Sequence, residues 1–207
     1  MKPTMSVSAL AAAVCAPLAL SACPVVEDVD DGHNDGEVIT KVALTFAPAG
    51  GGAAITAAFS DPENDGDPTI DPIALTNGTT YTLTLAFENQ LAEPAEDITA
   101  EVEEEASEHQ VFVYGSAVQG PATGTNASRR VTHAYADVDD AGLPIGLSNT
   151  IVAAAVGDGE LSIMLRHLPA EDGTPQKVAG LAEAFASDGD AIAGEADVDV
   201  TFPLTVE

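Results

Sequence analysis

The sequence predicts an all-β fold: an antiparallel β-sandwich of about eight strands, with one short acidic helix and a weaker second helical stretch. Three observations carry this. Apolar residues alternate with polar ones over runs of strand length. Gly, Asp, Asn and Pro punctuate those runs at sandwich-like spacing. Strands and helices do not alternate, which argues against a parallel nucleotide-binding sheet.

The elements follow in order. Residues 1–22 read as a lipoprotein signal peptide: Lys2 precedes an apolar run, Val7–Leu20, that is short for a membrane span. The "LSAC" that follows resembles a bacterial lipobox, which implies cleavage before Cys23 and acylation of that residue. Cys15 would leave with the signal, so neither a disulfide nor a thiolate site is expected in the mature domain. Residues 23–36, acidic and turn-rich with His33 among aspartates, read as a flexible tether. Residues 37–207 read as a single sandwich domain. In "EVITKVALTFAP", Val42, Leu44 and Phe46 share one side; in "TTYTLTLAFEN", Tyr81, Leu83, Leu85 and Phe87 do the same. "HQVFVYGSAV", "RVTHAYADV", "LSNTIVAAAV", "ELSIMLRHL" and "ADVDVTFPLTV" supply further strands. Gln176–Gly189 is the weaker helical stretch, interrupted by Gly180.

The acidic helix lies in "EDITAEVEEEASEHQ". Asp97 suits its N-cap, and Ile98, Val102 and Ala106 form its apolar stripe. At about 100° per residue, Glu103 and Glu104 point to solvent, and Glu101 and Glu108 flank the stripe. Glu105 and His109 fall near the stripe itself, four residues apart, as neighbours on a continuing helix. A buried carboxylate needs a partner, and the whole chain has only six Lys and Arg against 34 Asp and Glu. A metal ion would satisfy both groups. His133 shares a strand face with Val131 and Tyr135, and His167 shares one with Leu161, Ile163 and Leu165. Glu105, His109, His133 and His167 are therefore the metal-ligand candidates, with Glu101 and Glu108 as supporting or alternative ligands. Imidazole with carboxylate points to Zn²⁺ first. The competing reading is three histidines satisfied separately by hydrogen bonds. Two Asp-rich loops, with Asp61, Glu63, Asp65 and Asp67 in one and Asp137 and Asp139 in the other, are weaker Ca²⁺ candidates, because neither completes an EF-hand pattern.

The net charge of −28 excludes a nucleic-acid partner and electrostatic docking on anionic lipid, and it favours a soluble monomer. No G-x-S-x-G elbow is present, so binding rather than catalysis is expected. The order "EVITKVALTFAPAGGG", "AEDITAEVEEEASEHQVFVYG", "LSIMLRHLP", "GEADVDVTFPLTV" resembles small exported bacterial proteins often labelled type 1 periplasmic binding fold superfamily proteins. That label implies two α/β lobes, whereas the strand pattern here is all-β. The resemblance implies companionship with outer-membrane TonB-dependent receptors. The combined expectation is a protein lipid-anchored in the bacterial cell envelope, more specifically at the outer membrane, that captures a divalent metal for uptake. The alternative is a structural or adhesion-like sandwich stabilised by Ca²⁺.

Overall fold

Alternating burial builds the structure, a computed structural model that describes residues 37–207. The signal peptide, Cys23 and the tether lie outside the described residues. The strands are β1 (Lys41–Pro48), β2 (Ile55–Ser60), β3 (Thr69–Ile70), β4 (Ile73–Leu75), β5 (Thr80–Asn89), β6 (Glu96–Asp97), β7 (His109–Tyr114), β8 (Val118–Gln119), β9 (Val131–Tyr135), β10 (Ser148–Ala153), β11 (Gly157–His167) and β12 (Glu195–Val206). The helices are α1 (Ile98–Glu104) and α2 (Leu181–Ser187). In β5, Tyr81, Leu83, Leu85 and Phe87 are buried while Thr80, Thr82 and Thr84 are exposed, the pattern of a strand with one face on a core.

Two sheets form. The larger runs β3-β2-β1-β5-β10-β9-β8, with β6 on the end of β5. The smaller runs β4-β12-β11-β7. One hydrophobic cluster takes Val42, Leu44, Phe46, Leu83 and Phe87 from the first sheet and Val111, Val113, Ile163, Leu165 and Phe202 from the second. This is sandwich packing, as the sequence predicts. The sheets are mixed rather than wholly antiparallel, because β4 joins β12 and β8 joins β9 in parallel. The short strands β3, β4, β6 and β8 also raise the strand count above eight.

The outer face of the smaller sheet carries a second cluster. Phe112 on β7 meets Phe185 on α2 with ring centroids 4.7 Å apart, and Leu168, Leu181 and Ile192 pack around them. Gly180 sits at the N-cap of α2 with φ +82°, so the helix begins after the glycine rather than running through it. Left-handed backbone is accessible there because no Cβ interferes.

Candidate metal centre

The centre forms at one end of the sandwich, where α1 hands the chain to β7. The Asp97 side chain accepts from the Thr99 amide at 3.1 Å and starts α1, while Ile98 and Val102 are buried. The helix stops at Glu104, and Glu105 is its C-cap. This corrects two expectations. Glu105 is solvent-exposed, and His109 is the first residue of a strand. The turn 105–108 replaces the continuing helix: the Glu105 carbonyl accepts from the Glu108 amide at 2.8 Å. With no buried stripe left to extend, a further helical turn would only expose its carboxylates.

Strand pairing then does what helix periodicity does not. β7 and β11 are antiparallel, and His109 stands directly opposite His167. Along β7, His109 shares the inner face with Val111 and Val113; along β11, His167 shares it with Leu165 and Ile163. The two imidazoles stack with centroids 4.5 Å apart and planes 5° from parallel. Both are almost wholly buried. His109, His167 and Glu105 each offer a ligand atom, all within 4.8 Å of one another.

The protonation pattern of His109 follows from its neighbours. Its Nδ1 lies 3.3 Å from the Glu105 carbonyl oxygen, which only accepts, so Nδ1 carries the hydrogen. Its Nε2 is buried and has no hydrogen-bond partner. An imidazole held through one nitrogen by a carbonyl, with the other lone pair free, is the arrangement that metal-ligating histidines use. Burial lowers the His109 pKa below its usual value; the His167 ring adds to the fall and the Glu105 carbonyl opposes it. That shift favours the neutral ring, the form that can ligate.

Carboxylates surround the pair. Glu108 Oε2 lies 3.8 Å from His167 Nε2. Glu101 shares a side-chain hydrogen bond with Glu37, and burial raises both carboxyls. Asp197, which the sequence did not single out, joins them. Burial pushes its pKa up to about 6, against the opposing pull of His167 and of the Glu37 amide. The backbone is held tightly here. The Lys177 ammonium donates to the Ala106 carbonyl at 2.7 Å and meets Asp139 Oδ2 at 2.9 Å, both side chains nearly inaccessible. Burial lowers the Lys177 pKa. For Asp139, burial acts upward, but Lys177 and the Leu143 and Ala141 amides outweigh it and hold the carboxyl below its usual range. Gly194 passes so near His167 that a Cβ there would lie 2.0 Å from the His167 carbonyl oxygen.

His133 is not part of this centre. It sits on β9, where its Nε2 lies 2.9 Å from Asn149 Oδ1, and Asn149 in turn donates to the Gly146 carbonyl. Its ring nitrogens are not among the ligand atoms that converge at Glu105, His109 and His167. In the two Asp-rich loops that are the Ca²⁺ candidates, the carboxylates are engaged by backbone amides. Asp61 accepts from the Asp65 and Gly66 amides, and Asp65 from the Asp67 amide. Asp137 accepts from Gly146 and Ser148, and Asp139 from Ala141 and Leu143. These carboxylates shape turns in their own backbone, while Glu63 and Asp67 are exposed. Comparison with protein-family models, curated proteins and solved structures found no match to this chain.

Proposed function

We propose that the protein binds one divalent transition-metal ion through His109, His167 and Glu105, with Zn²⁺ as the favoured ion. The observation that carries this is the buried His109 Nε2, left without a partner beside a second imidazole and an exposed carboxylate. An unpartnered buried nitrogen lowers stability, and a metal removes that cost. Ligands around one tetrahedral zinc lie about 3.3 Å apart. The imidazole lone pairs lie in the ring planes, so one ion requires the two stacked rings to turn about their side-chain bonds until those planes converge, and the exposed Glu105 side chain to swing inward.

The lipobox at Leu20–Cys23 supports a place for this activity, with the domain tethered through a lipid to the bacterial envelope, at the outer membrane. The role is capture and hand-off to an uptake receptor of the TonB-dependent kind, without catalysis. The test is chelator competition with the metal-free full chain. One equivalent of Zn²⁺, lost in the His109→Ala, His167→Ala double variant, is expected. Unchanged uptake in that variant, or no uptake by the parent, would sink the proposal.

A further inference from the structure

We propose that Asp197 is a direct ligand of this centre, so that the ion is held by two imidazoles and two carboxylates. The inference rests on the metal-binding reading above and adds to it a fourth ligand and a selectivity.

The argument starts from strand register. Along β11 and β12, Leu165 pairs with Val198, but Arg166 pairs with Ala196. Asp197 is the extra residue of a β-bulge. A bulge sets two consecutive side chains against one partner and breaks the alternation of faces. In an unbroken strand, Asp197 and Asp199 would share the outer face, opposite Val198 and Val200. Asp199 does lie outward, where its carboxylate accepts from the Tyr114 hydroxyl at 2.5 Å. The bulge turns Asp197 to the side of Val198, the side on which Leu165 and His167 stand. Bulges recur where a side chain must be re-aimed.

The side chain arrives there incompletely satisfied. Oδ1 accepts from the Glu37 amide at 3.3 Å, whereas Oδ2 is buried and has no hydrogen-bond partner. None of the salt bridges among the described residues involves it. Lys41 pairs with Glu88, Lys177 pairs with Asp139, and Arg166 turns to the carbonyls of Ile192, Ala193 and Gly194. Two orphaned buried atoms, His109 Nε2 and Asp197 Oδ2, thus stand on different strands at the same end of the smaller sheet; Asp197 lies outside the 4.8 Å cluster of His109, His167 and Glu105, so its side chain has to close in on the ion. One ion answers both.

The ligand set has a consequence for selectivity. Two imidazoles and two carboxylates fill a four-coordinate shell, which suits Zn²⁺ and leaves no open position. Ca²⁺ and Mg²⁺ seek six or more oxygens and would not be held. The bound ion is then cargo rather than a reaction centre.

The test uses Asp197→Asn, which keeps the size and the Oδ1 acceptor, with Asp199→Asn as control, both in the full chain. Three readouts are taken: Zn²⁺ affinity by chelator competition, the visible spectrum of the Co²⁺ form, and the Tm of the metal-free protein. Asp197→Asn is expected to weaken Zn²⁺ by roughly 100-fold, to change the intensity of the Co²⁺ bands, and to leave the metal-free Tm equal or higher. Asp199→Asn should bind like the parent. Affinity within about 2-fold of the parent and an unchanged Co²⁺ spectrum would remove Asp197 from the site, while the two histidines and Glu105 remain. A lost affinity accompanied by a lower metal-free Tm would assign Asp197 a structural role and overturn the inference. A parent that takes up no metal would overturn both readings.

Discussion

Among the described residues imidazoles are buried in two places, and both leave a ring nitrogen without a hydrogen-bond partner: Nε2 of His109 and Nδ1 of His133. The surroundings differ. His133 has Asn149 on its other nitrogen and the Tyr135 ring at 4.8 Å, all neutral. His109 has a second imidazole stacked on it and carboxylates nearby. An orphaned lone pair is therefore not by itself a metal site. Convergence of a second nitrogen and of negative charge separates the two places, and both are products of strand register.

The largest expected effect separates them directly. His109→Ala should weaken Zn²⁺ binding at least about 100-fold, and His133→Ala should leave it within about 2-fold, in parallel chelator titrations. Equal losses would erase the distinction. The next is Lys177→Met. It leaves the Asp139 carboxylate buried without its counter-ion and frees the Ala106 carbonyl, so stability should fall by about 3–5 kcal/mol in urea at pH 7. Because Ala106 adjoins Glu105, metal binding should weaken as well.

A smaller effect concerns pH. Burial lowers the His133 pKa, with Asn149 opposing. Below about pH 6.5 the unfolded ring takes a proton that the folded ring refuses. Stability then falls as pH falls, by up to about 1.4 kcal/mol per pH unit. His109 acts in the same direction, and Asp197, raised to about 6, acts oppositely below that pH. The measurement is accordingly a difference, metal-free parent minus His133→Asn, and the parent should lose more stability between pH 6.5 and 5. The smallest effect is expected at the Asp-rich loops: millimolar Ca²⁺ should leave the Tm unchanged, because Asp61, Asp137 and Asp139 already serve backbone amides. A Ca²⁺-dependent rise would reopen those loops as sites.

Much of the sandwich is legible in the sequence because burial on one face imposes alternation, as in β1 and β5. Asp97 announces the start of α1 for a similar reason, since a cap is a local bond. The end of α1 is not legible: Glu105, Ala106 and Ser107 continue a plausible helical composition, and the Lys177 contact that fixes the turn comes from 71 residues away. Alternation places His167 inward, whereas His109 reads as an extension of the acidic helix, and only pairing between β7 and β11 places the two rings opposite each other. Asp197 is hidden more deeply. In "ADVDV" its alternation matches that of Asp199, and nothing local marks the bulge that parts them.

Gly194 bears on how such a centre can be inherited. It offers no ligand atom, and its φ of +75° together with the approach to the His167 carbonyl admits no side chain. Sequence drift at a position that touches no ion would displace the strand end carrying one imidazole. The proposed metal centre is thus exposed to loss through a residue that a search for ligands would pass over, and a chain that keeps both histidines but replaces this glycine is expected not to take up Zn²⁺.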